Sequence, residues 1–408
     1  MKKYGLLGER LEHSFSPQIH AMLADYEYKL YEVPPGDVAG FIERGGFNGL
    51  NVTVPYKKTV LPLCHTLSGA AERIGSVNTI IRRGDGSLHG DNTDFYGFSY
   101  LLEKIGVDVT GKKAIILGDG GTAATVRCVL GDLEAGEVVT ISRRGPDNYN
   151  NISKNADARI IVNTTPVGMY PGNTASPVSL DIFSSCEAVL DVIYNPAKTE
   201  LMLQAADRGI PCAGGLNMLV AQAARACELF IGKEISAPAI DSIVEAIRRQ
   251  TMNIAIIGMP GCGKTSVGRR LAEITGRKFY DIDELIAHKA GKAIERIFAE
   301  DGEEAFRNLE ADILFDISKK SGGVIATGGG VVKIGANRRL LSRNSVVVFL
   351  DRAPEMLPVD GRPLSLAFGV QALYAERLPL YEEWCDHRVG ALDGVEPTAQ
   401  AVMEILSL

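Results

Sequence analysis

Two stretches of the chain share one order of apolar and polar positions. In KKAIILGDGGTAATV, residues 112–126, and in NIAIIGMPGCGKTSVG, residues 253–268, a β-branched apolar run breaks into glycines and then into a helical pattern. Each stretch predicts a strand, a turn of the size that wraps a phosphate, and a helix. Further apolar runs alternate with helical patterns after both stretches. The sequence therefore predicts an α/β protein with two parallel, doubly wound sheets.

The length of 408 residues is enough for two or three cores. About a hundred residues precede the first glycine turn, too many for a lead-in strand, so we expect a separate α/β substrate subdomain there. We place the main boundary near residue 250, after a helical segment. The first predicted domain is 1–250 and the second is 251–408. Within the first, the substrate subdomain covers about 1–100 and 215–250, and the nucleotide-binding subdomain covers about 101–214.

Charge and composition narrow the possible partners. The net charge of -7 provides no basic surface for nucleic acid or anionic membranes, which leaves small molecules as the expected partners. No run of 18 apolar residues and no signal-peptide core is present, so a cytoplasmic location is expected. The seven cysteines are scattered and include no C-x-x-C pair, which favours reduced thiols over disulfides or a zinc site.

The second glycine turn matches the phosphate-binding motif G-x-x-x-x-G-K-[ST] through Gly258, Gly263, Lys264 and Thr265. Backbone N–H groups in such a loop wrap a phosphate, the lysine contacts the β and γ oxygens, and the threonine hydroxyl completes a Mg²⁺ shell. The sequence therefore predicts an ATP and Mg²⁺ site. The predicted nucleotide contacts are Gly261, Cys262, Gly263, Lys264, Thr265 and Ser266.

The phosphoryl acceptor is suggested by Asp281 and Asp283 at the end of RKFYDID. If the strand period holds, the two side chains share one face close to the phosphate loop. One carboxylate could then hold magnesium-bound water, a role we assign to Asp281, while the other binds an acceptor hydroxyl. A D-x-D pair is also often a solvated strand end.

Residues 252–408 resemble shikimate kinase over their whole length. The resemblance rests on D-x-D, F-R-x-x-E at 306–310, three glycines at 328–330, R-P-L at 362–364 and R-x-x-x-Y at 377–381, in that order. It implies that shikimate is bound by Asp283, Arg307, Gly329 and Arg377, with the arginines on its carboxylate and Asp283 also catalytic. Arg362 would lie in a lid and reach the phosphates. It follows Asp351 by only eleven positions, a shorter approach than is usual in that family.

The first glycine turn, GDGGTAA from Gly118, is by itself a weak dinucleotide signal. About twenty residues later the strand GEVVTIS ends in Ser142, Arg143 and Arg144. Two cations and a hydroxyl suit the 2′-phosphate of NADP(H), although a solvated basic turn would look the same without the glycines. We expect the side chain of Asp119, within the turn, to point away from the pyrophosphate.

Hydride chemistry on a carbonyl also needs a proton donor, for which Lys57 and Asp94 are candidates. Alone, each would more often be a surface charge. Their surroundings, LEHSFSPQIH, NVTVPYK, GDNTDFYG, VNTTPVGM and GGLNMLVAQA, occur in the order found in shikimate dehydrogenase, which residues 4 to about 248 resemble.

That resemblance assigns roles to further residues. Lys57 is the implied acid/base, with Asp94 beside it. The implied shikimate contacts are Ser14, Ser16, Thr53, Asn78, Asp94 and Gln222, with Tyr194 lining the site. The implied cofactor contacts are Gly118, Gly120, Gly121 and Thr122 at the pyrophosphate and Val192, Gly215 and Met218 near the nicotinamide.

Both halves thus point to the same metabolite. The sequence predicts a bifunctional enzyme that reduces 3-dehydroshikimate with NADPH and phosphorylates shikimate to shikimate 3-phosphate with ATP. A quinate/shikimate dehydrogenase joined to a small-molecule kinase of other specificity is the nearest alternative, and a scaffold in which one half binds without turnover is another. His13, His20, His65 and His89 lack any supporting ligand spacing, and no role is assigned to them.

Overall fold

The computed structural model describes residues 2–11, 14–172, 175–358 and 369–408. The chain divides into two compact units, the first made of 1–194 and 204–246 and the second of 195–203 and 247–408. The division thus falls four residues before the expected boundary near 250, and it groups a short segment after Tyr194 with the second unit. The domain limits 1–250 and 251–408 stay a prediction.

The first sheet of the first unit has six strands in the order β2-β1-β3-β5-β6-β4. Strand β1 is parallel to both its neighbours, whereas β5 is antiparallel to both of its own. The strands are β1 Lys3–Gly8, β2 Glu27–Glu32, β3 Gly49–Val52, β4 Thr66–Leu67, β5 Thr79–Arg82 and β6 Leu88–Asp91. The helices of this part are α1 Ser16–Leu23, α2 Val38–Arg44, α3 Gly69–Ile74 and α4 Thr93–Ile105. Leu7, Leu50 and Ile80 lie in the core on this sheet.

The second sheet has five parallel strands in the order β11-β10-β9-β7-β8. The strands are β7 Lys113–Leu117, β8 Glu137–Ile141, β9 Ile160–Asn163, β10 Ala188–Asp191 and β11 Cys212–Ala213. The helices that follow along the chain are α5 Gly121–Asp132, α6 Glu200–Asp207, α7 Leu216–Ile231 and α8 Ala237–Thr251. Three of the apolar runs form the central strands β7, β9 and β10, which are buried except at Lys113, as expected for a parallel sheet.

Helix α7 contacts both sheets of the first unit. Near its start, Met218 packs with the core of the second sheet, and near its end Phe230 packs on Tyr4 of β1. The Tyr4 hydroxyl donates to the carbonyl of Phe230 at 2.7 Å. One helix therefore fixes the two sheets of this unit against each other.

The second unit contains a parallel sheet in the order β13-β14-β12-β15-β16. The strands are β12 Asn253–Ile257, β13 Lys278–Asp281, β14 Gly323–Ala326, β15 Ser345–Asp351 and β16 His387–Gly390. The helices are α9 Lys264–Thr275, α10 Ile282–Ala290, α11 Ile294–Glu300, α12 Gly302–Ser318, α13 Gly335–Asn344, α14 Val370–Trp384 and α15 Val395–Leu406. The α/β class with parallel sheets is thus confirmed.

Two further findings concern the chain as a whole. All seven cysteines are free thiols, and two of them, Cys227 and Cys262, are buried. Within the described ranges, none of the helices is both long enough and apolar enough to cross a bilayer.

Candidate active sites

The first unit contains a cavity of about 470 Å³. Apart from Asp94, the predicted shikimate contacts and the predicted acid/base of this half all line it. They are Ser14, Ser16, Thr53, Lys57, Asn78, Tyr194 and Gln222. Because these positions are spread over some two hundred residues of sequence, their convergence is a result of the fold.

Lys57 and Asp94 form an ion pair at the cavity wall. The Nζ atom of Lys57 donates to Oδ2 of Asp94 at 2.6 Å, and the side chains are 24% and 7% exposed. Asp94 lies in the first turn of α4, where the helix dipole favours a carboxylate. Asn78 fixes the start of this helix, because its Oδ1 accepts the N–H of Thr93 at 2.7 Å while its Nδ2 donates to Gln222 Oε1 at 3.3 Å. The cavity therefore holds a lysine whose ammonium group is oriented by a supported carboxylate.

Hydroxyl groups from one turn of chain line another part of the cavity. The N–H of Ser16 donates to Oγ of Ser14 at 3.2 Å. Between these serines, the ring of Phe15 meets the ring of Tyr194 edge to face, with centroids 5.9 Å apart. The serine turn and the tyrosine that follows β10 thus meet at this cavity.

His20 lines the cavity although no role was assigned to it from the sequence. It lies one helical turn after Ser16 on α1, and this S-x-x-x-H spacing, which places both on one face, is the signal that would have identified it. Its Nδ1 is 2.5 Å from the Tyr26 hydroxyl, and its ring stacks on Tyr28 with centroids 4.0 Å apart. Burial lowers the pKa of His20 to about 3, so the ring is neutral at pH 7.

Arg10 and Asn51 are the other polar lining residues that sequence reasoning missed. Arg10 is exposed and has no ion pair with any described residue. Since the carboxylate of Asp94 compensates Lys57, Arg10 supplies the one uncompensated cation among the described lining residues. No sequence motif marks this position, so only the fold could reveal it.

The first glycine turn is shaped for a close approach of an anion. Gly118 has φ +105°, and a Cβ there would lie 2.9 Å from Thr164 Oγ1. Helix α5 begins at Gly121, and the space beside Gly120 and Gly121 is open. Thr122 follows in the first helical turn. A helix N-terminus with open space beside its glycines fits a dinucleotide pyrophosphate.

The three residues after β8 differ in exposure and in what they contact. Arg143 and Arg144 are exposed, so their guanidinium groups are available to a phosphate. Ser142 is buried, and its Oγ accepts the N–H of Gly145 at 2.9 Å, which stabilises the turn. Asp119 is exposed.

The predicted nicotinamide contacts also lie together. A Cβ on Gly215 would come within 2.0 Å of the carbonyl oxygen of Val192, so this approach requires glycine. Met218, one turn further along the chain, is buried. The glycine turn, the two exposed arginines after β8 and these apolar contacts together fit NADP(H).

In the second unit, the phosphate loop connects β12 to α9. Gly258, Gly261 and Gly263 have positive φ angles of 147°, 83° and 106°. The loop carries the buried Cys262, and Ser266 lies exposed in the first turn of α9.

The ammonium group of Lys264 contacts the backbone of the phosphate loop. The Nζ atom of Lys264 donates to the carbonyls of Gly258 and Met259 at 3.0 and 2.9 Å. Thr265 Oγ1 donates to Asp281 Oδ2 at 2.7 Å. The adjacent oxygen atoms of Thr265 and Asp281 suit Mg²⁺ as ligands, because Mg²⁺ usually takes only one or two protein ligands beside phosphate and water. No group of three metal-binding carboxylate, imidazole or thiol side chains occurs within the described part of the chain.

The expectation that Asp281 and Asp283 share a strand face is wrong. The strand ends at Asp281, and its Oδ1 accepts the N–H groups of Asp283 and Glu284 at 3.0 and 3.2 Å, so it caps α10. Asp283 lies in the first helical turn instead. Burial raises the pKa of Asp283, an effect opposed by the positive charges of Lys264 and Arg307. The helical start, rather than a strand, brings this carboxylate near both cations.

The two arginines predicted to bind the carboxylate are buried. Nη1 of Arg307 donates to Oε2 of the fully buried Glu310 at 2.8 Å. Nη1 of Arg377 donates to the carbonyl of Gly329 at 3.1 Å, and the hydroxyl of Tyr381 donates to the same oxygen. The R-x-x-x-Y spacing thus places both groups on one face of α14. Nε and Nη2 of Arg377 have no partner, which marks a buried cation that can receive an anion.

Each of the glycines at 328–330 makes room for a different side chain. A Cβ on the first would come within 2.5 Å of Glu310 Oε1 and one on the second within 2.5 Å of Pro260. A Cβ on the third would come within 2.1 Å of Arg307 Nη2. The loop therefore brings the phosphate loop and the carboxylate site close together. The predicted lid residue Arg362 lies outside the described residues.

Two family models match the chain, the shikimate dehydrogenase substrate binding domain at residues 6–80 and shikimate kinase at residues 260–407. A shikimate dehydrogenase (NADP(+)) of Clostridium perfringens strain SM101 is 34% identical over 269 residues, which are 61% of this chain and 99% of that protein. This chain belongs to the shikimate dehydrogenase family. It also carries a shikimate kinase domain, which confirms the predicted fusion of two enzymes of one pathway.

Solved structures resemble the dehydrogenase part. A chorismate mutase/shikimate 5-dehydrogenase fusion protein from Clostridium acetobutylicum is 33% identical with a TM-score of 0.58, over 60% of this chain and 97% of that one. Quinate dehydrogenase from Corynebacterium glutamicum in complex with NAD is 26% identical with a TM-score of 0.56, over 60% and 98%. The fold of this part is therefore shared by dehydrogenases with two different names.

Proposed function

We propose that this chain reduces 3-dehydroshikimate to shikimate with NADPH and phosphorylates shikimate to shikimate 3-phosphate with ATP. The observation that carries the proposal is that each unit holds a site suited to the same small carboxylate. In the first unit it is the cavity beside Lys57 and Asp94. In the second it is the pair of buried arginines, of which Arg307 lies near enough to Asp283 to act on its charge.

In the dehydrogenase, Lys57 is positioned to give a proton to the carbonyl oxygen of the substrate. Asp94 holds its ammonium group in one direction through the 2.6 Å contact. Ser14 and Ser16 are neutral donors suited to the substrate carboxylate. NADPH, when bound, supplies the hydride, and the contacts of Val192 and Met218 exclude water from that transfer.

The choice of NADP(H) rests on the residues after β8. Arg143 and Arg144 provide two exposed cations where a dinucleotide fold meets the adenosine ribose. A carboxylate at this point would favour NAD. The fold therefore supports NADP(H) as the cofactor.

In the kinase, Asp283 is positioned to orient the acceptor hydroxyl and to take its proton, while Arg307 and Arg377 hold the carboxylate. Lys264 supplies positive charge at the phosphates. Mg²⁺, held by Thr265 and through water by Asp281, would neutralise charge on the transferring group.

Quinate oxidation is the second candidate for the first unit, because the structure also resembles a quinate dehydrogenase. Quinate carries an additional hydroxyl on the carbon that bears the carboxylate. Turnover of shikimate and quinate should be compared with NADP⁺ and with NAD⁺. We expect shikimate and NADP⁺ to give the higher kcat/KM, and a preference for quinate with NAD⁺ would overturn the assignment.

We also propose that residues 1–250 and 251–408 are separate domains. Each segment expressed alone should retain its own activity, and loss of both activities would reject the boundary.

We further propose that the protein acts in the cytoplasm. The free thiols of all seven cysteines fit a reducing compartment. Fractionation of the source cells tests the location.

A further inference from the structure

Arg307 of the kinase unit already interacts with two carboxylates. Its Nη1 donates to the fully buried Glu310, as described above. Its Nε and Nη2 both donate to Oε1 of Glu303, at 3.3 and 3.2 Å. Glu303 lies one turn before Arg307 on α12, so it approaches the guanidinium from the same helix face. The Arg307 charge is therefore shared before any substrate carboxylate arrives.

The two glutamates differ in how readily they can leave. Glu310 is completely buried, whereas the side chain of Glu303 is 38% exposed. The contacts of Glu303 with Arg307 are also longer than the 2.8 Å contact of Glu310. Glu303 is thus the replaceable partner of Arg307.

A second cation, Lys333, lies close to Glu303. Nζ of Lys333 is 3.8 Å from Oε1 of Glu303 and 3.8 Å from Oε1 of Glu376. Lys333 follows the three glycines by three positions and is 37% exposed. A small rotation of Glu303 could therefore exchange one cation for another without leaving its charge unpaired.

We propose that Glu303 competes with the carboxylate of the substrate for Arg307 and moves to Lys333 when that substrate binds, so that Glu303 and Lys333 set the KM for the acceptor. This inference rests on the proposed kinase function. Arg377, which has unpartnered donors and no carboxylate contact in the described structure, provides the first attraction. Glu303 acts through Arg307 and is a positioning residue.

The test is steady-state kinase kinetics on the full chain, with shikimate varied at saturating MgATP. Glu303→Gln removes the competing charge, so KM for shikimate should fall by about two- to five-fold, the range expected for a partly exposed ion pair, with kcat nearly unchanged. Lys333→Met removes the receiving cation and should raise KM. The double variant should show the low KM of Glu303→Gln, because the competitor is then gone.

Glu304→Gln is the matched control. Glu304 is the next residue on α12, is exposed, and has no ion pair with any described residue, so its KM should match that of the unsubstituted chain. An unchanged or raised KM in Glu303→Gln would overturn the proposal. An unsubstituted chain that does not phosphorylate shikimate would overturn the kinase function itself, which is a separate result.

Discussion

Gly330→Ala tests the link between the triple glycine and the carboxylate site. The added Cβ would lie 2.1 Å from Nη2, 2.5 Å from Nη1 and 2.6 Å from Cζ of Arg307, whereas ordinary contact begins near 3.4 Å. The guanidinium must therefore move by roughly 1 Å, which is enough to break a hydrogen bond. A hydrogen bond to a charged group contributes about 1.5–3 kcal/mol, and about 1.4 kcal/mol is tenfold, so KM for shikimate should rise by about 10- to 100-fold.

The assay is kinase turnover with shikimate and MgATP varied in turn. KM for MgATP should change little, because the hydrogen bonds of Arg307 go to Glu303 and Glu310 rather than to the phosphate loop. Gly335→Ala is the matched control, since nothing lies within 4 Å of the position of its Cβ. The dehydrogenase activity of the same chain reports on global damage. A normal KM for shikimate in Gly330→Ala would refute the assignment of Arg307 to the substrate carboxylate.

The remaining predictions concern three other charged sites. Lys57→Ala should lower the dehydrogenase kcat by about 10²-fold or more, the range for a lost general acid, and leave kinase turnover intact. Replacing Arg143 and Arg144 together by Ala should raise KM for NADPH far more than that for NADH, since only NADPH carries the 2′-phosphate. Asp283→Asn should abolish phosphorylation yet raise the Tm of the second unit at pH 8. That gain should shrink as the pH falls through the folded pKa of Asp283.

The sign of the last effect follows from burial. Burial raises the pKa of Asp283 in the folded state, so its contribution to stability is greatest when it is protonated and is lost as the pH rises through that pKa. If the Tm difference between Asp283→Asn and the unsubstituted chain did not depend on pH, the assignment of Asp283 as a buried, ionised carboxylate would be contradicted. Equal losses of both activities in Lys57→Ala, or equal KM changes for both cofactors in the arginine variant, would contradict the other two assignments.

The sequence predicted the parts of the fold that depend on local pattern. The glycines at 258 and 263 and the adjacent Lys264 must stand in a fixed order for a loop to wrap a phosphate, so the pattern alone revealed the β12–α9 junction. The buried parallel strands were equally visible as short β-branched runs. Their order in the sheets depends on contacts distant in sequence, which no local pattern contains.

The sequence was less informative where local hydrogen bonds or distant contacts decide the structure. The predicted strand period runs two residues too far, from Asp281 to Asp283, because an aspartate that caps a helix also ends a strand. Arg10 belongs to no motif and reaches the cavity only through the fold. Asn51 begins NVTVPYK, but the motif alone does not show which of its residues face the cavity. The contact of Glu303 with Arg307 follows the i, i+4 helix rule, but that rule alone does not distinguish a substrate competitor from a surface pair.

The most direct test of the bifunctional assignment is one reaction with the full chain, 3-dehydroshikimate, MgATP and NADPH carrying deuterium in the transferred position, followed by mass spectrometry of the products. We predict shikimate 3-phosphate that carries both the deuterium and the phosphoryl group, with one NADPH and one ATP consumed per product. Accumulation of deuterated shikimate without the phosphoester, or no NADPH consumption at all, would contradict the assignment of two successive reactions to this chain.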